Sequence, residues 1–437
     1  MTGQGRPGLP RRTWLAVVLL GLSGQIAWNV ENSWFNTFAY DEVTPDPEPI
    51  AAMVAVSAVV ATLTTLLVGT WSDRLGRRRP FILVGYLLWA LATAAYPVAG
   101  WAGSVAAGVA LVIGLDALMT AFGSAANDAC FSAWVTDVTS TEVRGRVEGL
   151  LQAMPVLATA IGMGLSGLLI ERFGYTPFFL ALGALVLVTG LAGGLLVRDS
   201  AQPAGRPDSG QPGPGVAGLL LRVFRPAEVR ARRDLYLVFG AMAVVGVAVQ
   251  VTVPYEVIYL NQHLGLSKAT AGLLTSTVAP VLLVLAVPVG WLTDRGHGYR
   301  VLVAGTVVAA AGGVCFAQTR SLVLLVVFGT AKSVVFLLSI VLVAWHRQLL
   351  PDQARGAYQG VRLVFAVMLP MLLGPALGAW LTRAYGQTTT LDGVVATVPP
   401  PLLYRVSAGV LLAGLAPVLL LRRARRRDEL GPPGSLG

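Results

Sequence analysis

Twelve apolar runs dictate what this chain can fold into: residues 13–36, 49–71, 80–99, 104–135, 149–170 and 176–197, then 235–260, 269–292, 301–317, 322–344, 358–382 and 402–421. Crossing a hydrocarbon layer takes a helix of about 20 residues. In lipid, the backbone must satisfy its own hydrogen bonds, which a helix does. The first run is longer than the core of a signal peptide and lacks a small-residue cleavage site, so it counts as a helix. Composition agrees: 55% of residues are hydrophobic and 12% charged, a charged share far below that of soluble domains. A disordered chain, a disulfide-stapled secreted domain and an ordinary cytosolic enzyme are excluded. The two cysteines, Cys130 and Cys315, lie within apolar runs, and no metal-ligand spacing occurs, so neither metal nor cofactor is expected.

The net charge of +10 comes almost entirely from arginine. In a soluble protein such an excess would suggest a nucleic-acid partner; here the arginines cluster between apolar runs. With twelve spans, 25 of the 32 basic residues fall on one side and five on the other. The first loop on the poor side carries Asp41, Glu42, Asp46 and Glu48 without a base. Because Lys and Arg resist translocation, this bias predicts a multi-pass protein of the cell (inner) membrane with both termini in the cytoplasm and no nucleic-acid partner. The predicted organisation is a cytoplasmic tail (1–12), a six-helix bundle (13–197), a cytoplasmic linker (198–234), a second six-helix bundle (235–421) and a basic tail (422–437). The linker is rich in Pro, Gly, Ser and Gln, and within it residues 216–224 carry the pattern of a short amphipathic piece.

The two halves repeat local patterns. Gly69-Thr-Trp-Ser-Asp73-Arg74 returns as Gly290-Trp-Leu-Thr-Asp294-Arg295, each after the second helix of its half. Arg144-Gly145-x-x-x-Gly149 returns as Arg355-Gly356-x-x-x-Gly360, each before the fifth. Parallel six-helix repeats with a binding site between them are a transporter design. The expected fold class is thus an all-α membrane protein with twelve transmembrane helices in two pseudo-symmetric six-helix bundles. The stretch Gly69 to Arg79 resembles the signature loop of the major facilitator superfamily. Arg77-Arg-Arg-Pro-Phe-Ile82 is similar to its sucrose-transporter branch, related to the glycoside–pentoside–hexuronide:cation symporters. So is the stretch from Asn127-Asp128 through Thr139 to Arg144.

The resemblance implies a gating role for Asp73, Arg74 and Arg77, with Asp137 and Arg144 as partners. Physically, a carboxylate at the end of helix two can meet a helix N-terminus and neighbouring arginines. Gly76 allows a tight return and Pro80 suits a first helical turn. The second copy keeps Asp294 and Arg295, but Gly-His-Gly-Tyr replaces the basic run, so its network should be weaker. Arg78 and Arg79 read chiefly as topology signals.

Ionisable groups inside lipid are costly and point to function. Asp128 lies roughly 12 Å into helix four, beside Asn127; its carboxylate can accept sugar hydroxyls, and the resemblance places a sugar-binding carboxylate there. Trp28, Glu31 and Phe35 share a helical face, with Asn32 beside them: either an acid among aromatics that suits sugar stacking, or an interfacial aromatic belt. Pro254 breaks helix seven next to Tyr255 and Glu256. Lys332, near the middle of helix ten, needs an acidic partner, with Asp128 or Glu256 available. Asp116 reads as interfacial, and Arg362 and His346 as close to the inner surface, snorkelling or facing water. Helix two carries no acid before Asp73, which argues against a sodium site of the related symporters and for protons, with Glu31, Asp128 and Glu256 as acceptors. The expectation is a non-enzymatic, monomeric, alternating-access transporter for proton-coupled uptake of a sugar or glycoside. An exporter of drugs or metabolites and a non-transporting assembly factor of the same fold are the alternatives; a membrane-embedded enzyme would need a reactive cluster.

Overall fold

The computed structural model describes residues 9–199, 225–351, 355–391 and 393–430. The expected amphipathic piece at 216–224 lies outside these. Eleven described stretches are long and apolar enough to cross a membrane, and one of them, Lys268–Phe316, turns at Gly296 (φ 80°). The twelve helices are α1 Arg11–Val43, α2 Pro47–Leu75, α3 Arg79–Trp101, α4 Val105–Val138, α5 Glu142–Phe173 and α6 Tyr175–Leu196. They continue as α7 Arg233–His263, α8 Lys268–Leu292, α9 Gly298–Phe316, α10 Leu322–Leu349, α11 Gly360–Tyr385 and α12 Leu402–Arg423. A hairpin of β1 (Gln387–Leu391) and β2 (Val394–Val398) joins α11 to α12. Its turn uses Gly393 at φ 83°. Its sequence signal is an Asp-Gly pair near β-branched residues, an element that the expected all-α class does not include.

Local chemistry sets the helix ends. Asp46 caps α2 by accepting from the Glu48 N–H at 3.0 Å, and Ser104 caps α4 by accepting from the Ala107 N–H at 3.3 Å. Gly76 ends α2 at φ 63°, donating its N–H to the Ser72 and Asp73 carbonyls. α1 runs beyond its expected end at residue 36. Its polar residues serve the helix itself: Asn36 Nδ2 donates to the Asn32 carbonyl at 2.9 Å and Thr37 Oγ1 to that of Ser33 at 3.0 Å.

Two compact units divide the chain. The first holds α1 to α6 with Leu260–Pro280 and Thr390–Ala396; the second holds the remainder of α7 to α12. Small residues let backbones close within each unit, as helices in lipid require. In the first, Gly183 and Gly190 on α6 face α3. A Cβ at Gly183 would stand 2.8 Å from the Ala90 carbonyl oxygen and from the Ala94 Cβ. In the second, a Cβ at Gly378 would stand 2.7 Å from the Val251 carbonyl oxygen. Gly183→Ala should therefore cost about 1–3 kcal/mol by overpacking. Thermal unfolding in detergent checks it, with Gly145→Ala, where nothing lies within 4 Å, as the neutral comparison.

Within the first unit, Lys268 Nζ stands 2.8 Å from Asp41 Oδ2 and 4.6 Å from the Tyr175 ring centroid, while Tyr175 donates its hydroxyl to the same Asp41 oxygen at 2.7 Å. In the second unit the short helix Pro226–Ala231 leads into α7. Its Glu228 Oε1 accepts from the Tyr358 hydroxyl and from Arg232 Nε, both at 2.5 Å. The Tyr358 hydrogen bond, then Arg232, holds the Glu228 carboxyl below the usual range. A depressed carboxyl pKa stabilises the fold above the ordinary glutamate pKa, and that contribution disappears as the pH falls through the lower folded value. With Glu228 35% exposed, the clasp is worth a few tenths of a kcal/mol. Hydrogen exchange in 226–232 should rise only in acid, and should already be raised at neutral pH in Glu228→Gln.

Candidate functional site

Glu31 stands where α1 winds for one stretch, Glu31–Phe35, as a π-helix, and Asp128 within a second such stretch, Ser124–Phe131 of α4. Segments of this kind widen a helix and recur at functional sites. Asp128 is exposed midway along a membrane-spanning helix, with Ser124 and Trp28 beside its carboxylate. A charge facing acyl chains is costly. Trp28 packs on Trp89 with ring centroids 5.0 Å apart.

Glu31 is buried. Its Oε1 accepts from Thr120 Oγ1 at 3.0 Å, and its Oε2 has no hydrogen-bond partner. Asp116, one helical turn before Thr120, feels Glu31 electrostatically. Its Oδ2 accepts from Ser57 Oγ, and its Oδ1 has no partner. At 2% exposure Asp116 is not interfacial as expected; its depth was misjudged because the packing of α2 against α4 is not visible in either sequence. Among the described residues no basic side chain forms an ion pair with Glu31 or Asp116.

The equivalent helices of the second unit hold a different pair. Helix α7 breaks at Pro254 and resumes at Glu256. Lys332 Nζ donates to Glu256 Oε2 at 2.6 Å. The ammonium lies 5.1 Å from the Phe316 ring centroid and 5.5 Å from that of Tyr404. Of the two acids available to Lys332, Glu256 is the one it meets. The Tyr404 hydroxyl is buried without a partner.

Three expected ligand residues are committed to the fold. Asn127 is turned into its bundle, where Nδ2 donates to the Tyr86 hydroxyl at 2.8 Å and to the Leu20 carbonyl at 3.4 Å. Tyr255 donates its hydroxyl to the Pro375 carbonyl at 2.9 Å. Asn32 Nδ2 donates to the Trp28 carbonyl at 2.7 Å. Asn29, which the sequence did not single out, links α1 to α5 by donating to Thr159 Oγ1 at 2.7 Å and keeps a buried, unpartnered Oδ1. His346 is 1% exposed with its ring 5.5 Å from that of Phe239, so it neither snorkels nor faces water.

In the signature loop the buried hub is Arg78, not Arg74 or Arg77. Arg78 donates Nη2 to Asp73, Nη1 to Ser72 Oγ at 2.5 Å and Nε to Asp137 at 3.4 Å. Burial pulls the Arg78 pKa down, but the hydrogen bond and charge of Asp73, then Asp137, leave it above the ordinary value. Arg74, Arg77 and Arg144 are exposed. In the second copy Asp294 is exposed, and Arg295 lies 3.7 Å from the Trp291 ring centroid. Among the described residues no group of three His, Cys, Asp or Glu is placed to hold a metal ion.

The family model described as Major Facilitator Superfamily matches residues 13–255 and 238–435. A curated relative, sugar efflux transporter A of Dickeya chrysanthemi, is 27% identical over 303 residues, covering 69% of this chain and 71% of the relative. Among solved structures, a mutant of the nucleoside transporter NupG superposes with TM-score 0.74 at 12% identity, covering 94% of this chain and all of the other. A bacterial homologue of the lysosomal transporter Spinster gives 0.66 at 16% identity, covering 94% and 96%. A bacterial homologue of the iron transporter ferroportin gives 0.66 at 15%, covering 95% and 99%. At such identities these structures speak for the fold alone.

Proposed function

We propose that this chain, which belongs to the Major Facilitator Superfamily, is a proton-coupled transporter of a sugar or glycoside. The observation that carries the coupling is a difference between equivalent helices. In the second unit the part-buried acid Glu256 on α7 has Lys332 on α10 as its counter-charge. In the first unit Glu31 on α1 and Asp116 on α4 are buried acids with one unpartnered oxygen each and, among the described residues, no cationic partner. An uncompensated carboxylate in lipid is too costly to persist, so the missing positive charge is a proton. Ser57 and Thr120 then hold the two acids ready to bind and release it.

Asp128 supplies the sugar contact. Its accessible carboxylate accepts hydroxyl donors, while the part-exposed Trp28 ring, backed by buried Trp89, offers an apolar surface to a sugar face. Arg78, Asp73 and Asp137 form the charge cluster of the gating loop, with Gly76 setting its turn. The arginine bias supports cytoplasmic termini.

The relative's description as a sugar efflux transporter supports export, with protons moving in the opposite direction, over the uptake that the sequence reading favours. The test is transport of a labelled sugar panel in proteoliposomes, with the pH gradient imposed in either direction. Accumulation that follows the proton gradient supports the reading, and the sense of movement decides import or export. Failure of every sugar to move, or movement that tracks sodium and ignores pH, would overturn it.

A further inference from the structure

A cleft of about 420 Å³ opens where the start of α1, the start of α3 and the end of α6 meet, lined by Arg12, Arg79, Leu195, Leu196, Val197 and Arg198. Three arginines therefore surround one recess, and no acid lines it. Arg12 donates Nη2 and Nε to the Leu196 carbonyl at 2.6 and 3.3 Å, closing the last turn of α6, where carbonyls lack partners within the helix. Asp199, the nearby carboxylate, spends its Oδ1 on the Arg78 and Arg79 backbone N–H groups at 2.7 and 2.9 Å. The N-terminus of α3 is thus already capped, and the free capacity lies in the guanidinium groups. Arg79 Nε is buried and has no hydrogen-bond partner.

The floor of the recess is apolar and continues along the helix. Leu195 is 60% exposed, Val188 64% and Leu185 40%. At these spacings the three share one face of α6, so an apolar track runs from the cationic recess toward the membrane interior. A ligand that fits both parts carries an anionic oxygen cluster at one end and a hydrocarbon chain at the other. We propose that this recess binds the phosphate of an anionic phospholipid, with an acyl chain lying along Leu195, Val188 and Leu185. The guanidinium forks of Arg12, Arg79 and Arg198 would donate to the phosphate oxygens, a geometry to which arginine is suited. Free phosphate shares the head chemistry but leaves the apolar track empty.

The test is native mass spectrometry of the full chain in a neutral detergent, titrated with phosphatidylglycerol, phosphatidylcholine or inorganic phosphate. The expected result is retained phosphatidylglycerol at concentrations where phosphatidylcholine does not bind. Affinity should fall about fivefold for each arginine removed, in Arg198→Gln and again in Arg12→Gln with Arg198→Gln. The comparison of lipids on the unmodified chain stands even if a variant fails to fold. Equal retention of phosphatidylcholine, unchanged phosphatidylglycerol binding in the variants, or displacement of the lipid by equimolar inorganic phosphate would each overturn the assignment.

Discussion

Lys332→Met should destabilise the folded chain by about 3 kcal/mol, because it strands the part-buried Glu256 without its counter-charge. The pair is 16% and 14% exposed at its two side chains, and Phe316 and Tyr404 wall the ammonium. Little water can reach the acid to take over the role of Lys332. Removing both charges is a different experiment. A Lys332→Met, Glu256→Leu double variant leaves no unpaired group and should recover most of the loss, since an apolar replacement of similar volume is often neutral or better. Equilibrium unfolding in mixed micelles measures both. A single-variant loss below about 1 kcal/mol would place the pair in the class of weakly coupled surface ions.

Glu31→Gln should abolish gradient-driven accumulation while leaving sugar exchange intact. One pH unit is worth about 1.4 kcal/mol per proton, or about tenfold accumulation of a substrate coupled to one proton. A glutamine at position 31 keeps the shape and the hydrogen bond to Thr120 but cannot carry the proton. The ratio across the membrane should then fall to about one. Asp116→Asn should behave alike, because the charges of Glu31 and Asp116 are coupled electrostatically. Neither change leaves a new buried charge, so unfolding should be little affected. If both variants still accumulate sugar under a pH gradient, the proton is carried elsewhere and Asp128 becomes the acceptor to test.

The helix count was legible because lipid forbids irregular backbone, so every long apolar run has one fate. The Lys332–Glu256 contact was half legible: an ammonium in the middle of a span demands an acid, but sequence alone left two acids open. The identity of the loop hub was hidden. Arg77, Arg78 and Arg79 are consecutive, and only the left-handed turn at Gly76 decides which of them points inward. That Asn127 and Tyr255 bond within their own bundles was hidden for a related reason. Each sits one residue before a candidate acid, yet helix rotation sends it to a packed side. Asp116 was underrated because its partner, Ser57, comes from another helix. These failures concern helix rotation and neighbours, which tertiary packing sets, whereas the successes concern properties of single segments.

The chain contains only two lysines. Lys268 is tied to Asp41, and Lys332 to Glu256. An amine-directed reagent applied to the intact protein therefore meets two side-chain targets, each masked as long as its ion pair is closed. Acylation rates at positions 268 and 332, separated by peptide mapping, become clocks for the opening of two individual contacts. No cysteine need be introduced, and sugar or pH can be varied while the native chain reports on itself.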